Sequence, residues 1–348
     1  MSLSSSRPRG FRFPVLVGDV GGTNARFALV MDATQPALPL PAVATADYPD
    51  ITAAIQASIA EARAPQPRSA IIAVAGPVTG DRIPLTNAHW VVEPLQMIDS
   101  LMLEDVVILN DFEAQALALP GLAGTDIEQI GGGTALAGAS KFVLGPGTGL
   151  GAAAMIHAAD TWIPVPGEGG HVELGPVTDD DFLIWPHVER AGGRVGAEQL
   201  LSGTGLPMLA RAVATARKAD RDFRKGAEIT RAASDGDPVA VETLQVFARC
   251  LGRVAGDFAL TVLARGGVYI TGGVTSYIAD YLRDGGFRAA FEAKAPHAGL
   301  MASIPTFLIR HPNPALEGLA AFARTPALFA VGTAGRQWTR AGALTVPH

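Results

Sequence analysis

Backbone stripped of side chains can bring its N–H groups against a phosphate, and the stretch Gly18-Asp19-Val20-Gly21-Gly22-Thr23 offers such a backbone with a threonine hydroxyl as an added donor. Asp19 stands where a carboxylate can hold Mg²⁺ through water. No lysine completes a P-loop, and a strand pattern rather than a helix follows the glycines, so two familiar phosphate loops are excluded. Taken alone, the stretch reads equally well as a hairpin turn. A second turn, Gly145-Pro146-Gly147-Thr148-Gly149, and a later Thr271-Gly272-Gly273 alter that balance. Three such loops in order suggest a nucleotide held between two lobes. Gly145, Gly147, Thr148 and Gly149 are expected at its phosphates, and Gly272 and Gly273 close to the adenosine.

Asn110 and Asp111 end an apolar run at 106–109, the end of a strand where α/β sheets place ligand-binding groups. Asp111 can accept a proton from a substrate hydroxyl there, or cap the helix that follows, and the two roles are compatible. In Pro166-Gly167-Glu168-Gly169-Gly170-His171, a carboxylate and an imidazole share a glycine-rich loop, where both can hydrogen-bond vicinal sugar hydroxyls. Zinc is the weaker reading, because only Glu173 is near and no second histidine lies at ligand spacing. The basic residues Arg211, Arg217, Lys218, Arg221, Arg224, Lys225 and Arg231 alternate with Asp220, Asp222 and Glu228. They read as a solvated helical face rather than a nucleic-acid surface. Cys250, the chain's one cysteine, has apolar neighbours and reads as a core thiol; it allows no internal disulfide and fits a reducing, cytoplasmic setting.

The elements that must position these groups follow from apolar periodicity. Strand, tight turn and strand are expected over 13–18 and 25–31, and again over 142–144 and 150–156, which makes a weak internal repeat. Further strands are expected at 70–75, 106–109 and 267–270. A helix at 112–119 is stopped by Pro120-Gly121. Val241, Leu244, Phe247, Leu251, Val254, Phe258 and Val262 mark a long helix within 238–264, and a last helix covers 314–324. The alternation is that of an α/β protein. A length of 348 residues favours two domains, and 48% hydrophobic with 17% charged residues fits a compact enzyme. The formal charge of −6 gives no general attraction to nucleic acid or an anionic membrane. The uncharged run 142–159 is broken by glycines and is not expected to span a membrane, and 1–10 carries no apolar secretion segment.

The loops, in this order, resemble the actin-like superfamily of sugar kinases and heat-shock chaperones. With Leu109-Asn110-Asp111-Phe112 and the loop at 166–171 added, the chain is similar to the proteobacterial glucokinase family from about 13 to 322. Weaker matches lie at Thr86-Asn87 with Trp90, at Glu198 with Leu201-Ser202-Gly203, and at Gly272-Gly273. The resemblance implies an actin-like, ribonuclease H-like fold of two α/β lobes around an ATP and sugar cleft. It places a small domain at 13–121, completed by a helix at about 312–325, a large domain at 122–311, and tails at 1–12 and 326–348. It also implies ATP-dependent phosphorylation of the 6-hydroxyl of glucose, with Asp111 as catalytic base. Asn110, Glu168, His171 and Glu198 bind sugar hydroxyls on this reading, and 18–23 binds ATP. A homodimer is expected. Another hexose substrate, or a sugar sensor without turnover, is the alternative. The zinc-binding cysteine cluster common in the related family of repressors and sugar kinases is absent from this sequence.

Overall fold

The computed structural model describes residues 10–85 and 88–340; Thr86 and Asn87, cited above for the family resemblance, lie outside the described residues, as do 1–9 and 341–348. The chain divides into two compact units. One comprises residues up to 122 with 157–166 and the chain from 311 onward, and the other comprises 123–156 and 167–310.

In the first unit, strands Val15–Val20, Ser69–Val74 and Asp105–Asn110 run parallel, with Val20 beside Val74 and Val74 beside Asn110. Every residue of Ser69–Val74 is buried, as a parallel strand covered on both faces requires. Asn24–Val30 pairs antiparallel with Val15–Val20, closing the first expected hairpin. On the far edge Gln337–Thr339 pairs antiparallel with Asp105–Asn110. The segment expected as a tail beyond Arg324 therefore supplies an edge strand. Its physical basis is Trp338, which is buried and donates its indole N–H to Asp81 at 2.7 Å.

The second unit repeats this plan. Lys141–Pro146 pairs antiparallel with Leu150–Ala158 and parallel with Val268–Ile270, which is parallel in turn to Thr306–Ile309. Ile127–Gly131 closes the edge antiparallel. The repeat expected from two glycine turns is thus a repeat of sheet topology.

The long helix runs Pro238–Val262, started by Asp237, which accepts the N–H groups of Val239 and Ala240, and ended by Leu263 in the left-handed region. Cys250 lies buried on it, and burial is the main cause that pushes its thiol up to about 12. Since the thiolate is the reactive form, native protein should resist alkylation at mildly alkaline pH and expose one thiol only when denatured. Rapid native labelling, read by mass spectrometry, would show an opening not present here. Among the described residues no helix is long and apolar enough to cross a membrane.

Candidate active site

The register of the first sheet brings two expected groups to one edge. Val20 and Asn110 flank Val74 at the carboxyl ends of three parallel strands, so the 18–23 turn and Asp111 stand two strand spacings apart, about 10 Å. The turn is closed by the Gly21 N–H on the Asn24 carbonyl at 3.0 Å. It is tethered by Thr45, whose hydroxyl donates to the Gly22 carbonyl and whose N–H donates to the Thr23 carbonyl. Gly18 has a packing role: a Cβ there would lie 2.8 Å from Ile72 and 2.9 Å from Phe27. Val20 is buried and can offer only its backbone. Asp19 has its pKa raised, first by burial, with Arg26 on the facing strand working against the rise.

Asp111 does not cap its helix. The cap is Asn110, extended at φ −73° and ψ 149°, whose Oδ1 accepts the N–H groups of Phe112 and Glu113. Asp111 is the first helical residue of Asp111–Ala118, and its carboxylate takes the Phe112 N–H at 2.9 Å. A carboxylate in the first turn is favoured as the anion by the helix dipole. Asn110 Nδ2 reaches the Gly76 carbonyl at 3.4 Å. The loop at Gly76, with φ +110°, follows the middle parallel strand at the same edge and was missed in the sequence; Gly76-Pro77 after a buried strand is the signal for it.

In the second unit the glycine loops meet. Gly272, with φ +94°, has no room for a side chain, since a Cβ would lie 2.4 Å from the Pro146 carbonyl oxygen. The Val274 N–H donates to that carbonyl at 3.1 Å. Gly147 accepts from the Gly203 N–H at 2.7 Å, and the Thr148 carbonyl accepts from the Thr204 hydroxyl at 3.2 Å. The turns at 145–149, 202–204 and 272–274 therefore form one surface at the ends of two parallel strands. Gly273 borders open space.

Leu150 links this surface to the loop at 166–171. Its N–H donates to Glu198 Oε2 at 2.8 Å, and the same oxygen would lie 2.4 Å from a Cβ at Gly149. On the other side, a Cβ at Gly170 would lie 1.9 Å from the Leu150 carbonyl oxygen. His171 Nε2 stands 3.6 Å from Glu168 Oε2, with both side chains largely exposed. A cavity of about 450 Å³ is lined by His171, Glu198, Arg194, Gln199 and Thr204 among others, and Glu168 is not in its wall. That volume lies in the range of small-molecule sites. Arg194 was not singled out in the sequence, yet it donates to the His171 carbonyl at 2.7 Å and pairs with Glu173. Its signal is weak, because one exposed arginine in Gly192-Gly193-Arg194 looks like any turn. Among the described residues no three of His, Cys, Asp and Glu cluster as a metal site. Arg217 and Arg221 of the basic stretch are paired with Glu242, Asp180 and Asp237.

The family model described as Glucokinase matches residues 16–326. A glucokinase of Sinorhizobium fredii is 53% identical over 337 residues, covering 97% of this chain and 99% of its own length. The crystal structure of a glucokinase from an Antarctic psychrotroph superposes with a TM-score of 0.80 at 30% identity, covering 90% of this chain and all of that one. A ROK family glucokinase from Streptomyces griseus, solved with glucose and AMPPNP, has a TM-score of 0.59 at 24% identity over 89% of this chain and 99% of its own, a likeness of fold. The two topologically equivalent sheets are those of the actin-like sugar kinases. With the family match running over nearly the whole described chain and a relative identical at more than half of the aligned positions, this chain belongs to the glucokinase family.

Proposed function

We propose that this protein transfers the γ-phosphoryl group of ATP to the 6-hydroxyl of glucose, giving glucose 6-phosphate and ADP. The observation that carries the reading, beside the family, is the placement of Asp111 at the head of a helix on the sheet edge that also bears the 18–23 turn. Asp111 accepts the proton of the 6-hydroxyl as its oxygen bonds to the γ-phosphorus, and the bond from that phosphorus to the ADP oxygen breaks. Glu168, His171, Glu198 and the amide of Asn110 hold the ring hydroxyls. Backbone at 18–23 and at 145–149 holds the phosphates, and Gly272 and Gly273 lie along the adenosine. Phosphoryl transfer asks mainly for position and charge, which these groups supply.

Asp19 fits a role toward Mg²⁺ held through water, because a carboxylate short of hydration gains from a hydrated cation that keeps most of its own waters. The ion would neutralise phosphate charge when bound. The unit built on 10–122, with helix Pro314–Arg324, serves as the small lobe, and the other unit as the large one. We place the enzyme in the cytoplasm as a homodimer; exposed Val177, Phe182 and Leu183 support association, and light scattering on the eluting protein checks it.

An ADP-release assay over a panel of hexoses tests the function. Glucose should give the highest kcat/KM, and saturable sugar binding without ADP release would overturn the reading. Replacing Glu168 or His171 by alanine should weaken glucose binding by about 1 to 3 kcal/mol, since sugar hydroxyls and their partners are left unpaired. Titration calorimetry should show ATP affinity little changed.

A further inference from the structure

The segment beyond Arg324 grips the strand and the helix on either side of the Asn110-Asp111 junction. Through its backbone, the Arg336 carbonyl accepts the Ile108 N–H at 3.0 Å, and Gln337, Trp338 and Thr339 continue the pairing with Val107, Val106 and Asp105. Through its side chain, Arg336 forks onto Glu113, with Nη1 to Oε2 at 2.5 Å and Nη2 to Oε1 at 3.1 Å. Glu113 lies in the same first turn as Asp111 and is wholly buried, and the Arg336 side chain is only 17% exposed. A second guanidinium contact, to the Gly332 carbonyl, fixes the arginine within its own loop. The same helix also meets Pro314–Arg324, so closely that a Cβ at Gly318 would lie 1.9 Å from the Ala114 carbonyl oxygen.

A buried ion pair is a poor source of net stability, because desolvation consumes most of the Coulomb gain. Its fork geometry does add orientation, which a point charge does not. We propose that Arg336 and Glu113 are positioning residues that hold the first turn of helix Asp111–Ala118, and with it the Asp111 carboxylate, in the orientation needed for proton transfer. This rests on Asp111 being the base. Residues 332–339 then contribute to turnover through Asp111. An error of about 1 Å in such a group can cost about 10²-fold in rate, so loss of the fork should show in kcat.

The test compares Arg336→Lys, which keeps the charge and loses the fork, with the double variant Glu113→Met/Arg336→Met, which removes both charges and leaves neither side chain with a buried polar group unpaired. In each, kcat should fall by about 10- to 100-fold while KM for glucose and ATP stays within about three-fold, as expected for misplacement of a group that acts on the reacting atoms. The melting temperature of the double variant should stay near that of the unaltered protein. Adding Arg336→Lys to Asp111→Asn should lower kcat no further, because the pair acts through Asp111. A purely structural pair predicts the reverse: kcat follows melting temperature and is normal in any variant that melts normally. That result overturns the proposal, as does an undiminished effect of Arg336→Lys on top of Asp111→Asn. If the double variant does not fold, Arg336→Lys alone and in the cycle decides. Normal turnover by Asp111→Asn itself would instead remove the base reading. Turnover lost in Asp111→Asn but kept in both pair variants would remove only the positioning role.

Discussion

Asp111→Asn lowers kcat by roughly 10² to 10⁴, a barrier increase of about 2.7 to 5.4 kcal/mol, with glucose binding and melting temperature largely kept. The substitution keeps shape and removes the ability to take a proton at neutral pH. It is a cleaner experiment here than the sequence suggested. The helix is capped by Asn110, so no capping bond is altered at position 111, and the Phe112 N–H can still be accepted by an amide oxygen. Loss of activity therefore reports on chemistry rather than on the start of the helix. Turnover within a few-fold of the unaltered protein, with glucose still bound, would exclude Asp111 as the base.

Gly170→Ala produces the other large effect. The added methyl would sit 1.9 Å from the Leu150 carbonyl oxygen, which is fixed in a strand and cannot turn aside. The loop at 166–171 has to lift, carrying Glu168 and His171 with it. Overpacking of this kind costs about 1 to 3 kcal/mol, and a loop that shifts to relieve it surrenders its ligand contacts. KM for glucose should rise by about 10- to 100-fold, matching about 1.4 to 2.8 kcal/mol, with KM for ATP changed far less. Gly167→Ala is the control, since a Cβ there meets nothing within 4 Å. Equal kinetics for the two variants would mean that the loop is not seated on Leu150 when substrate binds.

Much of this site can be read locally. The hairpins at Val15–Val20 with Asn24–Val30 and at Lys141–Pro146 with Leu150–Ala158 announce themselves as apolar runs around glycine turns, because a strand's periodicity and a turn's conformational demand are properties of neighbouring residues. Helix Pro314–Arg324 has the bounds expected of it, since proline suits a first helical turn. Three features needed the folded chain. Asn110 and Asp111 are both able to cap, and the choice fell to the residue whose backbone is extended, which is set by where the strand leaves its sheet. Glu198 meets the Leu150 N–H across 48 positions of sequence, a pairing for which no local pattern exists. Gln337–Thr339 is too short to show a period of its own. It is a strand because Asp105–Asn110 would otherwise leave a row of unpaired backbone groups at the sheet edge, and because the buried Trp338 finds an acceptor in Asp81 and Arg336 a buried glutamate to meet. Neighbouring residues determine which local conformations are available, and contacts between distant ones select among them.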